Sequence, residues 1–307
     1  MPRRYRVLAL AVPLMLLPAG CAVGLGDQPD SPRPAAAEAP PAEPDEPAPP
    51  GAAPAERYPV AKRTMEFARD GRKLPATIWY PKATEGEFPV VIFSHGLGGK
   101  PADYTDLLVK WAAAGFVVVA PAYPNTTAGS QQNPLDVLNQ PADAAYVLTE
   151  VLKLNDVDGD RFAGRLRTDR VAAAGHSAGG ITTIGEFTRG RDKRLDAGIV
   201  LAGSTLGVGT GFSGKETPML FIHGELDQVV PYSSGKSAFD AVPWPKAMLT
   251  LPQGDHVGAL SEGDSLTVVA GTTIEFLRWS LYGDAGAKSR IPSAAAKGDL
   301  AKLDNQL

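Results

Sequence analysis

The run Gly175-His176-Ser177-Ala178-Gly179-Gly180 sets one serine between glycines placed two residues before and two residues after it. A serine hydroxyl attacks a carbonyl carbon only when its oxygen is presented clear of the backbone and a base removes its proton. Small residues at those two positions permit the tight strand-to-helix turn that presents the hydroxyl, with the serine itself in a strained conformation. The flanking sequence fits such a turn: the apolar run 171–174 comes before it, and a helical stretch opening Ile181-Thr182-Thr183 comes after. A helix starting there directs its first amides at the charge that develops during acyl transfer. The chemistry implied is nucleophilic attack by Ser177.

The base must come from four histidines. His95 and His223 each end a strand-like run and precede a glycine, and His176 adjoins the serine, which leaves His256 in Gly254-Asp255-His256 as the one placed after the last strand. An acid that orients the base belongs between serine and histidine in chain order, just past a strand. Asp227 in His223-Gly224-Glu225-Leu226-Asp227 fits, with Val229-Val230-Pro231 behind it to anchor the loop; Glu225, one step nearer the strand, is the competitor. Oxyanion stabilisation needs two amide donors. Ala178, next to the nucleophile, offers one, and Leu97 in His95-Gly96-Leu97-Gly98-Gly99 offers the other by position.

These groups lie far apart in the chain, so a scaffold must gather them. Strand-like runs at 62–67, 76–80, 90–93, 116–120, 171–175, 198–201, 219–222 and 247–251 alternate with helical patterns at 103–114, 141–154, 178–189, 233–240 and 265–282. Several of the strands are continuously apolar, as strands buried on both faces should be. The alternation predicts an α/β fold: a mostly parallel eight-stranded sheet with helices on both faces and the ligand crevice at the carboxyl ends of the strands. The first two strands, joined by a short connection, should form an antiparallel edge. Residues 57–283 are expected to make the catalytic domain. The stretch 202–217 is too short for a large cap domain, which leaves an open cleft bordered by 97–104, 123–133, 203–212 and 257–262. Tyr123, Phe212 and Val229, with Leu97, either shape an acyl or aromatic pocket there or pack in the ordinary way.

The two ends differ from this body. Arg3, Arg4 and Arg6 precede an apolar run at 7–17 that is too short to span a bilayer, the build of a signal peptide over residues 1–20. Cys21, the single cysteine, follows Leu17-Pro18-Ala19-Gly20, which resembles the lipobox of bacterial lipoproteins with Pro18 in place of leucine. That resemblance implies lipid attachment at Cys21 and an extracytoplasmic, membrane-anchored protein; a plain secretory signal with an incidental cysteine is the alternative. Residues 21–56, rich in Pro, Ala and acids, read as an extended spacer, and 284–307 as a flexible tail. With a formal net charge of −4 and scattered Lys and Arg, nothing suggests a nucleic-acid partner. The run Gly209-Thr210-Gly211-Phe212-Ser213-Gly214-Lys215 leads into a strand rather than the helix that a phosphate loop needs, and the aspartates of Asn155-Asp156-Val157-Asp158-Gly159-Asp160 lack the closing glutamate of a calcium loop. No cofactor or metal is expected.

The order Ser177, Asp227, His256, together with the runs FSHGLGG, FVVVAPAYPNT, GRLRTDRVAAAGHSAGG and HGELDQVVPYSS, resembles the α/β-hydrolases, in particular their platelet-activating-factor acetylhydrolase, dienelactone-hydrolase-like and polyester-hydrolase (cutinase-like) branches. Dienelactone hydrolases proper carry cysteine where Ser177 stands, and polyester hydrolases carry aromatics where His176 and Leu97 stand. The resemblance implies a serine carboxylic-ester hydrolase acting through an acyl-enzyme on short-acyl, lipid or polymeric esters. A peptidase or amidase with the same triad, or a non-catalytic envelope binding protein, are the other readings.

Overall fold

The computed structural model describes residues 53–260 and 263–307, so the expected signal segment, Cys21 and nearly all of the spacer lie outside the described residues. The strands are β1 (Val60–Arg69), β2 (Arg72–Pro81), β3 (Phe88–Ser94), β4 (Val117–Pro121), β5 (Leu166–His176), β6 (Leu195–Leu201), β7 (Met219–Gly224), β8 (Lys246–Leu251) and β9 (Lys302–Gln306). They form one sheet in the order β1-β2-β4-β3-β5-β6-β7-β8-β9. From β4 to β8 all neighbours are parallel, while β1 pairs β2, β2 pairs β4 and β8 pairs β9 antiparallel. The antiparallel edge expected of the first two strands is present. The stretch between β6 and β7 forms no helix, so it adds no cap over the carboxyl edge.

Side chains alternate across the pleat, and the chain uses both faces. Val91, Phe93, Val118, Ala174, Ile199 and Ile222 pack with α1 (Thr105–Ala113), α5 (Gly263–Leu277) and α6 (Ala285–Ala295). Their neighbours Val90, Ile92, Val119, Ala173, Val200 and Phe221 pack on the other side with α2 (Gln140–Lys153), α3 (Ala178–Phe187) and α4 (Tyr232–Ala241). This double burial explains the continuously apolar strands, and it holds the carboxyl ends of β3, β5, β7 and β8 rigidly in line.

The carboxyl-terminal segment departs from expectation. Residues 284–307 are not a loose tail: Asp284 caps α6 by accepting the Ala287 amide at 2.9 Å, and Ala287, Ile291 and Ala295 are buried. The helix forms although Pro292 removes one of its hydrogen bonds. Beyond it β9 adds a ninth strand, pairing Lys302–Gln306 with Lys246–Thr250 of β8. An edge strand draws its stability from backbone pairing with a neighbour remote in sequence, and its polar side chains suit an edge that must not recruit another chain. The lower boundary also shifts. Arg278 Nη2 donates to the Pro54 carbonyl at 2.9 Å and Ala53 packs on the core, so the folded body includes residues assigned to the spacer.

Candidate active site

Only Ser177 separates β5 from α3, and it sits at φ +57°, ψ −119°, a region that non-glycine residues rarely adopt. The crossing is tight. A methyl carbon placed on Gly175 would lie 2.2 Å from the Gly179 carbonyl oxygen, and one on Gly179 would lie 1.9 Å from that of Ser94. The Ser177 amide donates to the Leu201 carbonyl of the neighbouring strand at 2.9 Å. Packing on both sides of the turn therefore sustains the strain and leaves the hydroxyl facing outward.

Three loops converge on that hydroxyl. His256 Nε2 lies 2.9 Å from Ser177 Oγ, and His256 Nδ1 lies 2.7 Å from Asp227 Oδ2. Because a carboxylate only accepts, Nδ1 carries the hydrogen and Nε2 is left to receive the serine proton. Asp227 Oδ1 accepts the amides of Val229 and Val230, each at 2.8 Å, which fixes the acid loop after β7. Burial alone would push the Asp227 carboxyl up, but the hydrogen bonds from His256 and from these two amides outweigh it, and its pKa falls below the usual carboxylate value. His223 supports the same loop: its Nε2–H donates to the Val230 carbonyl at 2.9 Å, and α4 turns past its ring at Gly235, where a methyl would lie 2.1 Å from Nδ1. Burial holds the His223 imidazole below its ordinary pKa. Glu225 is exposed and takes no part.

The loop after β3 closes the opposite side. The Gly99 amide donates to the Gly96 carbonyl at 2.9 Å across Leu97 and Gly98, and Gly98 has φ +74°, the left-handed third position that a type II turn reserves for glycine. His95, which the sequence left without a role, straps this turn to the loop after β4. Its Nε2 accepts the Tyr123 amide at 3.2 Å and the Thr127 hydroxyl at 2.9 Å, so its Nδ1–H donates to the Gly96 carbonyl at 2.8 Å. Gly98 donates to the Thr126 carbonyl at 2.7 Å, and Thr126 in turn is held through Gln140 to Thr182 of α3. Among the described residues, neither the Leu97 amide nor the Ala178 amide donates to another protein group.

A cavity of about 300 Å³ opens over Ser177 and His256, lined also by Leu97, Tyr104, His176, Val257 and Leu260. Three of the residues expected to border it do not. Tyr123 is fully buried, with its hydroxyl 2.8 Å from Ser94 Oγ. Phe212 packs edge-on against Trp244 with ring centroids 5.7 Å apart. Val229 points away from the cavity at 68 % exposure, and only its amide serves the site. Loop composition names which segments lie at the carboxyl edge, but it does not decide which side chains turn inward once the loops cross one another. Tyr104 and Leu260, within two of the bordering segments, do line it.

The family model described as chlorophyllase matches residues 52–194, just under half of the chain. The matched stretch includes Ser177 and ends before Asp227 and His256. The chain is 25 % identical over 195 residues to a platelet-activating factor acetylhydrolase of Cavia porcellus, covering 51 % of this chain and 44 % of the relative. It is 26 % identical over 205 residues to acyl-protein thioesterase 1 of Neurospora crassa, covering 57 % and 83 %. It is also 23 % identical over 234 residues to the uncharacterized protein YfhR of Escherichia coli K12, covering 66 % and 76 %. The chain thus spans less than half the length of the acetylhydrolase it matches. The parallel sheet and the strand-to-helix elbow give the chain an α/β-hydrolase fold, and the relatives it is similar to include proteins named as an acetylhydrolase and a thioesterase.

Proposed function

We propose that the protein is a carboxylic-ester hydrolase in which Ser177 is the nucleophile, His256 the general base and acid, Asp227 the orienting carboxylate, and the amides of Leu97 and Ala178 the oxyanion donors. What carries this reading is the continuous contact from Asp227 through His256 to Ser177 Oγ, at 2.7 and 2.9 Å, at the floor of an open cavity. The Ser177 hydroxyl gives its proton to His256 Nε2 as Oγ bonds to the ester carbon, and the carbonyl oxygen takes the negative charge toward the two free amides. His256 then returns the proton to the departing alkoxide. In the second half a water loses its proton to His256 and attacks the acyl carbon, and His256 returns that proton to Ser177 Oγ as the acid leaves.

A cavity of about 300 Å³ without a cap suits a short acyl group on an accessible ester. Relatives whose names speak of acetyl and acyl groups support the same class of bond. The decisive experiment compares hydrolysis of p-nitrophenyl acetate and butyrate by the folded protein and by Ser177→Ala. The variant should lose activity by roughly a thousandfold or more, and comparable rates would remove the serine from the mechanism. Extending the panel to acetylated phospholipids and polyester films distinguishes dissolved, lipid and polymeric esters.

The reading includes an extracytoplasmic protein tethered by lipid on Cys21, supported by the basic head, the short apolar run and the Pro/Ala spacer. Cys21→Ala should abolish incorporation of labelled fatty acid and release the protein from membranes. Unchanged fractionation would leave a merely secreted protein.

A further inference from the structure

Between the two loops that flank Ser177 runs a chain of hydrogen bonds to which the mechanism above assigns no part. The Gly96 amide lies 2.9 Å from Tyr104 Oη, Tyr104 Oη lies 2.9 Å from His176 Nδ1, and His176 Nε2 lies 2.8 Å from the backbone carbonyl of His256. The direction of every bond is forced. An amide only donates, so Tyr104 Oη accepts from Gly96; a carbonyl only accepts, so His176 Nε2 carries a hydrogen; the neutral imidazole then offers Nδ1 as acceptor, and the phenol proton points at it. One end of the chain is the residue before Leu97, and the other is the backbone of His256. In the middle stands the residue that precedes Ser177.

We propose that Tyr104 and His176 are positioning residues of the hydrolase site, a buried strap that sets the spacing between the oxyanion turn and the loop carrying His256. The inference rests on the assignment of Ser177 and His256 given above. Both side chains are almost fully buried, and the rings lie tilted against one another along the same path, Tyr104 and His176 with centroids 5.6 Å apart and His176 and His256 with centroids 4.8 Å apart. A chain of single polarity strengthens each of its members, so loss of one link loosens both ends. The strap answers a specific need, because the turn at Gly96–Gly99 and the loop at Asp255–Val257 arise from strands that are not neighbours in the sheet and share no backbone hydrogen bond.

The strap works only while His176 is neutral. A proton on Nδ1 would face Tyr104 Oη, which already accepts from Gly96, and would leave the phenol hydrogen without an acceptor. The titratable groups around the imidazole are Tyr104 at the start of α1, with Asp103 beside it, His223 and Asp227 on β7 and its loop, and His256 after β8. Burial, which outweighs the hydrogen bond to His256 O, lowers the His176 pKa to about 4, so the neutral form persists through the ordinary working range.

The test uses Tyr104→Phe, which removes one oxygen and keeps the ring, and the pair His176→Gln and His176→Leu, of which only glutamine retains a donor for the His256 carbonyl. Steady-state kinetics on p-nitrophenyl butyrate and thermal melting are measured for each. The expected result is a fall in kcat of roughly tenfold in Tyr104→Phe with KM within about twofold and the melting temperature nearly unchanged, and a larger fall in His176→Leu than in His176→Gln. Wild-type kcat in Tyr104→Phe, or equal losses in both His176 variants that track the melting temperature, would reduce the strap to ordinary core. On the unmodified protein, nitrogen-15 NMR should find His176 protonated at Nε2 at pH 7; a hydrogen on Nδ1 would overturn the proposal whatever the activity. Failure of a fluorophosphonate to label Ser177 in the wild type would instead strike at the assignment of the nucleophile, which keeps the two failures apart.

Discussion

Gly179 passes so close to Ser94 that a single methyl carbon on it would sit 1.9 Å from the Ser94 carbonyl oxygen. The first turn of α3 is thus pressed against the end of β3, and this contact sets both the height of the Ser177 hydroxyl and its distance from the turn that holds Leu97. Gly179→Ala must therefore displace one of the two elements. We expect a loss of about 3 kcal/mol or more, measured by urea unfolding, together with loss of ester hydrolysis. Gly211→Ala is the control, because no atom lies within 4 Å of the added methyl, and it should melt like the wild type.

Replacing Asp227 with asparagine keeps the acceptor for the Val229 and Val230 amides, so the loop should hold its shape. The amide nitrogen then faces His256 Nδ1 and drives the imidazole hydrogen to Nε2, where it opposes the serine. The expected outcome is a fall in kcat on the order of a thousandfold or more with melting nearly unchanged. A loss of less than tenfold would show that another group orients the base.

Glu186 of α3 is fully buried, and neither of its carboxylate oxygens has a hydrogen-bond partner. Burial pushes its pKa well above the ordinary glutamate value, and nearby Asp192 adds to the shift. In the unfolded chain the group releases its proton near pH 4.5, while in the folded protein it retains it, so folding stability falls as pH rises above that point. Glu186→Met should remove this penalty. The difference in melting temperature, variant minus wild type, should grow from pH 4.5 to pH 8; a difference that is flat or shrinks with pH would mean that the carboxyl finds a partner in solution.

Among the described residues, the large apolar side chains left exposed, Val157 apart, lie in loops that follow the carboxyl ends of strands. Leu97 follows β3, Leu135 and Leu138 follow β4, Leu206 follows β6, and Val229 and Val257 follow β7 and β8. The loop segments 122–135 and 203–214 carry no Asp, Glu, Lys or Arg. Two uncharged loops carrying exposed apolar side chains beside an open site favour approach to a neutral ester surface. Leu135→Asp with Leu206→Asp should leave the hydrolysis of dissolved p-nitrophenyl acetate unchanged and slow that of an emulsified or film ester several-fold. Equal effects on both substrates would separate these loops from substrate approach.

The sequence alone determined the parallel core, because strands buried on both faces must be apolar at successive positions, and that signal is local. It determined the elbow too, since glycines two residues either side of a serine, between an apolar strand and a helix, mark a turn with no room for side chains, although the Ser94 carbonyl that Gly179 must clear belongs to a distant strand. The order and strand-end positions of Ser177, Asp227 and His256 could be read because each follows its own strand directly. Only the tertiary structure decided what long-range contacts decide. It brought the three side chains to 2.7 and 2.9 Å, buried Tyr123, set Phe212 edge-on against Trp244, and recruited His95, Tyr104 and His176 to hold the loops. It also made β9 from Lys302–Gln306, a polar stretch with no pattern of its own. Periodicity reports which face of an element is buried; the partner that buries it, or the loop that crosses it, is chosen by chain segments scores of residues away.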